Sequence, residues 1–132
     1  MLEKINVKTG SQFEFIDITA KVRESVRKSG VQEGLCCVYV THTTAGVTIN
    51  ENADPAVPVD LIAGLDRIAP LRAGYRHAEG NSAAHIKTSL VGPSVTLIID
   101  GGSLALGTWQ AVFFCEFDGP RNRSCWVKTL AG

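Results

Sequence analysis

Three histidines occur in the 132-residue chain, each beside small polar residues and glycine. His77 and His85 lie in YRHAEGNSAAHIKTSL, residues 75–90, and His42 lies in THTTAG. Imidazole binds zinc-like metals and changes charge near neutral pH, so three such rings can hold a divalent cation or move protons. Three histidine ligands leave a position open for water or substrate. The spacing matches no helical zinc motif, so only the fold can bring His42, His77 and His85 together. The candidate ion is zinc or magnesium. INENADPAVPVD adds Glu51, Asn52, Asp54 and Asp60, oxygen ligands of the kind that hold Mg²⁺ on a diphosphate. Glu51 is also a candidate general base. The same acids suit a solvated helix start, which the helix dipole favours.

A second set of residues points to anion binding. Gly80, Asn81 and Ser82 form a helix start between His77 and His85, where free N–H groups and the dipole favour phosphate or carboxylate. Lys87 adds a positive charge on that helix. Thr43 and Thr44 offer hydroxyls, and Gly46 permits close backbone approach. DGPRNR presents Arg121 and Arg123 at a turn, which becomes an anion clamp if the turn meets the other elements. Gln110 follows Trp109 on an apolar strand and needs a hydrogen-bond partner, which a ligand could supply. Trp109 reads as core. Each feature also has an ordinary reading: a helix cap, a solvated turn, a core histidine with one hydrogen bond.

The elements that must position these residues follow from periodicity and punctuation. Residues 3–8 and 12–18 alternate polar and apolar and read as a hairpin across Gly10-Ser11. Thr19 caps a helix over 20–28, and Gly30 stops it. Residues 34–42 are β-branched and apolar, a buried strand, with a short strand at 46–51. Asp54-Pro55 opens a helix that Pro70 closes. The helix over 82–91 carries Ala83, Ile86 and Leu90 as its apolar stripe, with His85 on the other side. A strand at 94–100 turns at Gly101-Gly102. Residues 109–117 are the clearest strand. Ala111, Phe113, Cys115 and Phe117 share one face, and Val112, Phe114 and Glu116 share the other, so it is buried on both sides. RSCWVKTL is the last strand. Six or seven strands and three helices make an α+β domain, its mostly antiparallel sheets forming a sandwich or barrel-like core.

Composition narrows the function classes. Thirteen basic and thirteen acidic residues cancel, which leaves no electrostatic footprint for nucleic acid or an anionic membrane. No apolar run approaches the roughly 18 residues of a membrane span, and the first residues lack a signal-peptide core, so the expected compartment is cytoplasmic. The four cysteines show no CxxC spacing and read as buried thiols, with Cys36 and Cys37 facing opposite ways.

THTTAGVTINENADPAV, YRHAEGNSAAHIKTSLVG and LALGTWQAVFFCEFDGPR, in that order and before a basic closing strand, resemble the YjbQ-like family. The resemblance runs from about residue 5 to 130, so residues 1–132 read as one such domain. It implies an α+β sandwich or barrel-like core, a homotrimer and a secondary thiamine-phosphate synthase activity. Carried onto this sequence, the motif histidines are His42, His77 and His85. The acidic stretch is Glu51, Asn52 and Asp54, the GN pair Gly80 and Asn81, the WQ pair Trp109 and Gln110, and the turn arginine Arg121. Extra arginines in PLRAGYRH and a less basic DGPRNRSCW depart from the pattern without removing a candidate residue.

Three functions fit these residues. The first is a transferase joining a pyrimidine diphosphate to a thiazole phosphate at a histidine-rich anion or metal site. The second is a metal-dependent hydrolase of a small anionic substrate. The third is a non-catalytic small-molecule binding protein. All three take a small phosphorylated or anionic partner.

Overall fold

The computed structural model describes residues 1–132. Eight strands and three helices follow in the order β1 (Leu2–Lys8), β2 (Glu14–Asp17), α1 (Thr19–Ser29), β3 (Glu33–Val40), β4 (Ala45–Glu51), α2 (Ala56–Ile68), α3 (Ser82–Val91), β5 (Ser94–Asp100), β6 (Ser103–Leu104), β7 (Gln110–Glu116) and β8 (Asn122–Ala131). One sheet has the order β1-β8-β3-β5-β6 and the other β2-β7-β4. Every pairing is antiparallel. The domain is α+β, as the hairpin signals and alternation predict.

The main core lies between the two sheets and includes α1. Ile5, Val7, Cys36, Val38, Cys125 and Val127 face inward from the five-stranded sheet, and Val47, Val112 and Phe114 meet them. The other face of β7 buries Ala111, Phe113, Cys115 and Phe117 under α3, with Leu65 of α2 alongside. The strand is thus covered on both sides, as its two apolar faces require. Burial raises the thiols of Cys36 and Cys125 to about 11, and that of Cys115 further, so these thiols stay protonated at neutral pH.

Several sequence expectations are corrected. β1 and β2 do not form a hairpin: β1 pairs with β8 and β2 with β7, in different sheets. Local alternation cannot specify partners so far away in the chain. Thr19 is the first residue of α1 rather than its cap. The Asp17 carboxylate accepts the Thr19 N–H at 2.9 Å, and the Thr19 hydroxyl accepts the N–H of Val112. Gly30 does end α1, at a φ of 70°. Trp109 is 62% exposed rather than core. α3 spans the predicted residues but buries a different face: Ala83, Ala84, Lys87 and Thr88 point inward, while Ile86 and Leu90 are exposed. Small side chains let α3 lie close on β4, and this geometry outweighs the apolar stripe.

Gly46 makes that closeness possible. A Cβ there would stand 2.6 Å from the carbonyl oxygen of Gly92, which accepts the N–H of Val47. Gly46→Ala is therefore expected to push the end of α3 off β4. The expected loss is about 1–3 kcal/mol in urea denaturation, the usual range for overpacking.

Candidate functional site

Three connections carry the chain between the sheets at one end of the sandwich: β1 to β2, β3 to β4, and β7 to β8. Glu116, at the end of β7, sits under all three with no exposed surface. Its Oε1 accepts the Thr9 hydroxyl at 2.7 Å and Arg123 Nε at 2.8 Å. Its Oε2 accepts Arg123 Nη2 at 2.5 Å and the Asp118 N–H at 3.1 Å. Arg123 Nη2 also donates to the Thr44 hydroxyl at 2.8 Å, and Phe117 N–H donates to the Thr44 carbonyl. Thr9 accepts the Arg121 N–H at 2.8 Å. Gly119, before the cis Pro120, fits because a Cβ would meet the Ser11 carbonyl at 2.3 Å. Burial alone would push the Glu116 carboxyl up. The Arg123 guanidinium, the Thr9 hydroxyl and the Asp118 N–H outweigh it and hold the group below its ordinary value.

Above this base lies a cavity of about 450 Å³ with no hydrophobic lining. Thr41, His42, Thr43 and Thr44 come from the β3–β4 connection, and Asp118, Arg121 and Arg123 from the β7–β8 side. His77, Glu79 and Asn81 come from the loop before α3, and His85 from its first turn. All three histidines therefore meet in one pocket. The rings of His77 and His85 stand edge to face, 5.3 Å between centroids. His42 Nε2 accepts the backbone N–H of Ser124 at 3.0 Å. Burial, reinforced by the Arg123 charge, holds His42 below the usual histidine range.

Each pocket arginine is gripped by its own carboxylate. Arg121 donates from Nε to the Asp118 carbonyl at 2.7 Å and from Nη2 to the Asp118 carboxylate at 3.0 Å. Arg123 is held by Glu116 through Nε and Nη2. Neither Nη1 is used in these contacts. Asn81 Nδ2 donates to Asp118 at 3.0 Å, which leaves Asn81 Oδ1 buried without a partner. A buried unpaired acceptor is costly, so this atom is suited to a ligand or water donor.

Among the residues expected at a site, His42, His77, His85, Thr43, Thr44, Asn81 and Arg121 line this cavity. Gly80 and Ser82 border neighbouring grooves that share His77 with it. Lys87 is elsewhere: it is buried, bonds Asp66 at 3.1 Å and lies 4.1 Å from the centre of the Phe13 ring. Glu51 and Gln110 pair with each other at the far end of β4 and β7, whereas Ala45 pairs with Glu116 at the pocket end. Six residues of strand put them about 20 Å from the pocket base. Gln110 Oε1 accepts the Gly107 N–H at 2.8 Å, a local answer to its need for a partner. Sequence reasoning missed Glu116, Asp118, Glu79 and Thr9. Glu116 had a signal: an acid in the apolar strand VFFCEF requires a buried partner.

No group of three histidine, cysteine, aspartate or glutamate side chains stands where it could hold a metal ion. His42 explains part of this. Its Nε2 lone pair is engaged by the Ser124 N–H, so that nitrogen is not free for a metal. A three-histidine ligand set does not fit this arrangement.

The family model described as UPF0047 protein YjbQ-like matches residues 3–132. The chain belongs to the YjbQ-like UPF0047 family. A UPF0047 protein of Methanocaldococcus jannaschii is 51% identical over 98% of this chain and 94% of its own length. UPF0047 protein YugU of Bacillus subtilis is 47% identical over 98% of this chain and 99% of its own. A crystal structure of a YjbQ/UPF0047 family protein from Clostridium acetobutylicum superposes with a TM-score of 0.95 at 51% identity, covering 97% of this chain and 99% of that one. A crystal structure of a protein from Sulfolobus solfataricus superposes with a TM-score of 0.96 at 32% identity, covering 100% of this chain and 97% of that one. The YjbQ-like fold thus holds across this divergence. No helix is long and apolar enough to cross a membrane.

The buried pair generates a prediction. Glu116→Ala leaves the Arg123 charge buried and unpaired, and is expected to cost about 3–5 kcal/mol in urea denaturation. The folded-state pKa of Glu116 lies below its unfolded value of 4.5. Its stabilising contribution is therefore full above pH 4.5 and is lost as pH falls through the folded value. A Glu116→Gln variant should lose less stability than wild type on acidification below that point, read from urea midpoints at pH 3 to 6.

Proposed function

We propose that the chain is an enzyme of small phosphorylated molecules, with the phosphate or diphosphate group held between Arg121 and Arg123. The carrying observation is the pair of arginines, each fixed by its own carboxylate, Asp118 or Glu116, with Nη1 uncommitted. Guanidinium groups held in place beforehand bind a tetrahedral oxyanion without reorganising. The polar lining suits a compact charged group. Departure of phosphate or diphosphate builds negative charge on the leaving oxygen. Fixed donors stabilise that charge, and a general acid supplies its proton. The His77–His85 pair is suited to carry that proton.

The family resemblance makes one reaction of this class specific: a pyrimidine diphosphate and a thiazole phosphate join to give thiamine phosphate. The thiazole nitrogen forms a bond to the pyrimidine methylene carbon as the bond from that carbon to diphosphate oxygen breaks. Hydrolysis is the second reading, with water in place of the thiazole. The lack of any aliphatic side chain in the lining favours it, since the pocket suits a compact charged group better than an apolar one. A zinc or magnesium ion, were one to accompany the diphosphate, would meet a carboxylate rather than the three histidines. Glu79 is the lining carboxylate without an ion-pair partner to meet it.

Incubation with both thiamine precursors, and separately with the pyrimidine diphosphate alone, separates these reactions by mass spectrometry of the products. Thiamine phosphate supports the transfer. Release of the pyrimidine alcohol alone supports hydrolysis, and no product from either refutes the reading. Arg121→Ala is expected to weaken diphosphate binding about tenfold or more in calorimetry, as loss of a charged hydrogen bond requires. Lys87→Met is expected to leave it unchanged.

The homotrimer implied by the resemblance is part of the proposal. We assign it to the outer face of the five-stranded sheet, where Leu2, Leu35, Tyr39, Ile98, Trp126 and Leu130 stand exposed. Tyr39 faces Trp126 in register, and Leu35 lies between Ile98 and Leu130. Lys128 stands among them, and an apolar surface of this kind suits an interface. Sedimentation equilibrium should give three times the 14.1 kDa chain mass. Leu35→Lys with Ile98→Lys should give the monomer, and a monomeric wild type would refute the assignment.

A further inference from the structure

One contact sets His42 apart from the other two histidines. We infer that His42 is a neutral Nδ1–H donor to an oxygen of the bound anion, neither a metal ligand nor a proton carrier. The inference rests on the phosphate-binding reading of the pocket.

The Ser124 N–H donates to His42 Nε2 at 3.0 Å. That nitrogen must keep its lone pair, so the single ring proton of the neutral imidazole lies on Nδ1. Ser124 is within β8, between Arg123 and Cys125, and its N–H is fixed by the strand. A proton on Nε2 would set two donors against each other and leave the Ser124 N–H without its acceptor. Nδ1 makes no hydrogen bond within the chain, and the ring lines the same cavity as Arg121 and Arg123.

The surrounding charges agree with a neutral ring. Burial first, then Arg123 and Arg121, oppose a positive charge there, while Glu116 and the Ser124 backbone contact act the other way and are outweighed. Asp118 is engaged by Arg121 and Asn81, and Glu79 and the other two histidines stand on the remaining wall. Two arginines with uncommitted Nη1 groups and one neutral N–H line the same cavity. A set of three such donors suits an oxyanion, and the third adds no charge. Proton transfer is left to His77 and His85.

Long-range ¹H–¹⁵N correlation spectra of ¹⁵N-labelled protein distinguish the two tautomers from the imidazolium. The expected result at pH 7 is the Nδ1–H tautomer for His42, with the Nδ1 proton moving downfield when inorganic phosphate is added. The Nε2–H tautomer or an imidazolium overturns the inference. Two variants test the donor. His42→Asn offers an amide N–H near the Nδ1 position, whereas His42→Gln reaches Ser124 with an oxygen and offers nothing at Nδ1. His42→Gln should weaken phosphate binding about tenfold, the size of one hydrogen bond, with its melting temperature kept. His42→Asn should bind within about threefold of wild type. Equal loss in both variants overturns the donor role. Wild type that binds phosphate with His42 as Nε2–H defeats this inference alone. Wild type that binds no phosphate, with His42 as Nδ1–H, defeats the pocket reading and the donor role with it.

Discussion

The ion pair between Glu116 and Arg123 is the constraint on which the pocket depends. Thr9 comes from the first crossing between the sheets, Thr44 from the second, and Asp118 with Arg123 from the third. One carboxylate and its guanidinium therefore fix where three connections lie relative to one another. Against a well-fitted apolar replacement, such a pair adds little net stability, because desolvation of both charges opposes their attraction. What it does here is geometric. It holds an arginine in the pocket lining with Nη1 uncommitted, and it keeps β8 where Ser124 can meet His42.

Much of this was legible in the sequence, and the division has physical causes. Helix α3 and the hairpin at Gly101-Gly102 emerge where expected because glycine and proline act locally. The two-faced burial of β7 follows from its apolar alternation. That His42, His77 and His85 share one cavity was expected from their glycine-rich, polar neighbourhoods and from the family resemblance. What escaped depends on distant partners. Lys87 looks like a free cation until Asp66 and Phe13 come beside it. Ile86 and Leu90 look like a core stripe until the small face of α3 settles on Gly46. The pairing of β1 with β8 spans the whole chain, and no local pattern encodes it.

The pocket's electrostatics also run against a simple count of its charges. Four formal charges line it, Glu79, Asp118, Arg121 and Arg123, and they sum to zero. Glu116 adds a fifth beneath them. Attraction for an anion therefore comes less from net charge than from where donor edges are held. Fixed dipoles and partly committed guanidinium groups stabilise negative charge best when they need not move to meet it. The buried thiols take no part, since desolvation keeps Cys36, Cys115 and Cys125 protonated.

The contacts that build the pocket are also far apart along the chain. Thr9 and Glu116 are separated by 107 residues, and His42 and Ser124 by 82. A chain emerging from the ribosome N-terminus first can bury β1 and β3 early only against non-native surface, because β8, which lies between them in the sheet, is made last. His42 and Thr44 must wait, unpartnered, for almost the entire polypeptide. Occupancy of the cavity therefore reports completion of synthesis as well as chemistry: a truncated product ending before Arg123 has the histidines but no site to put them in.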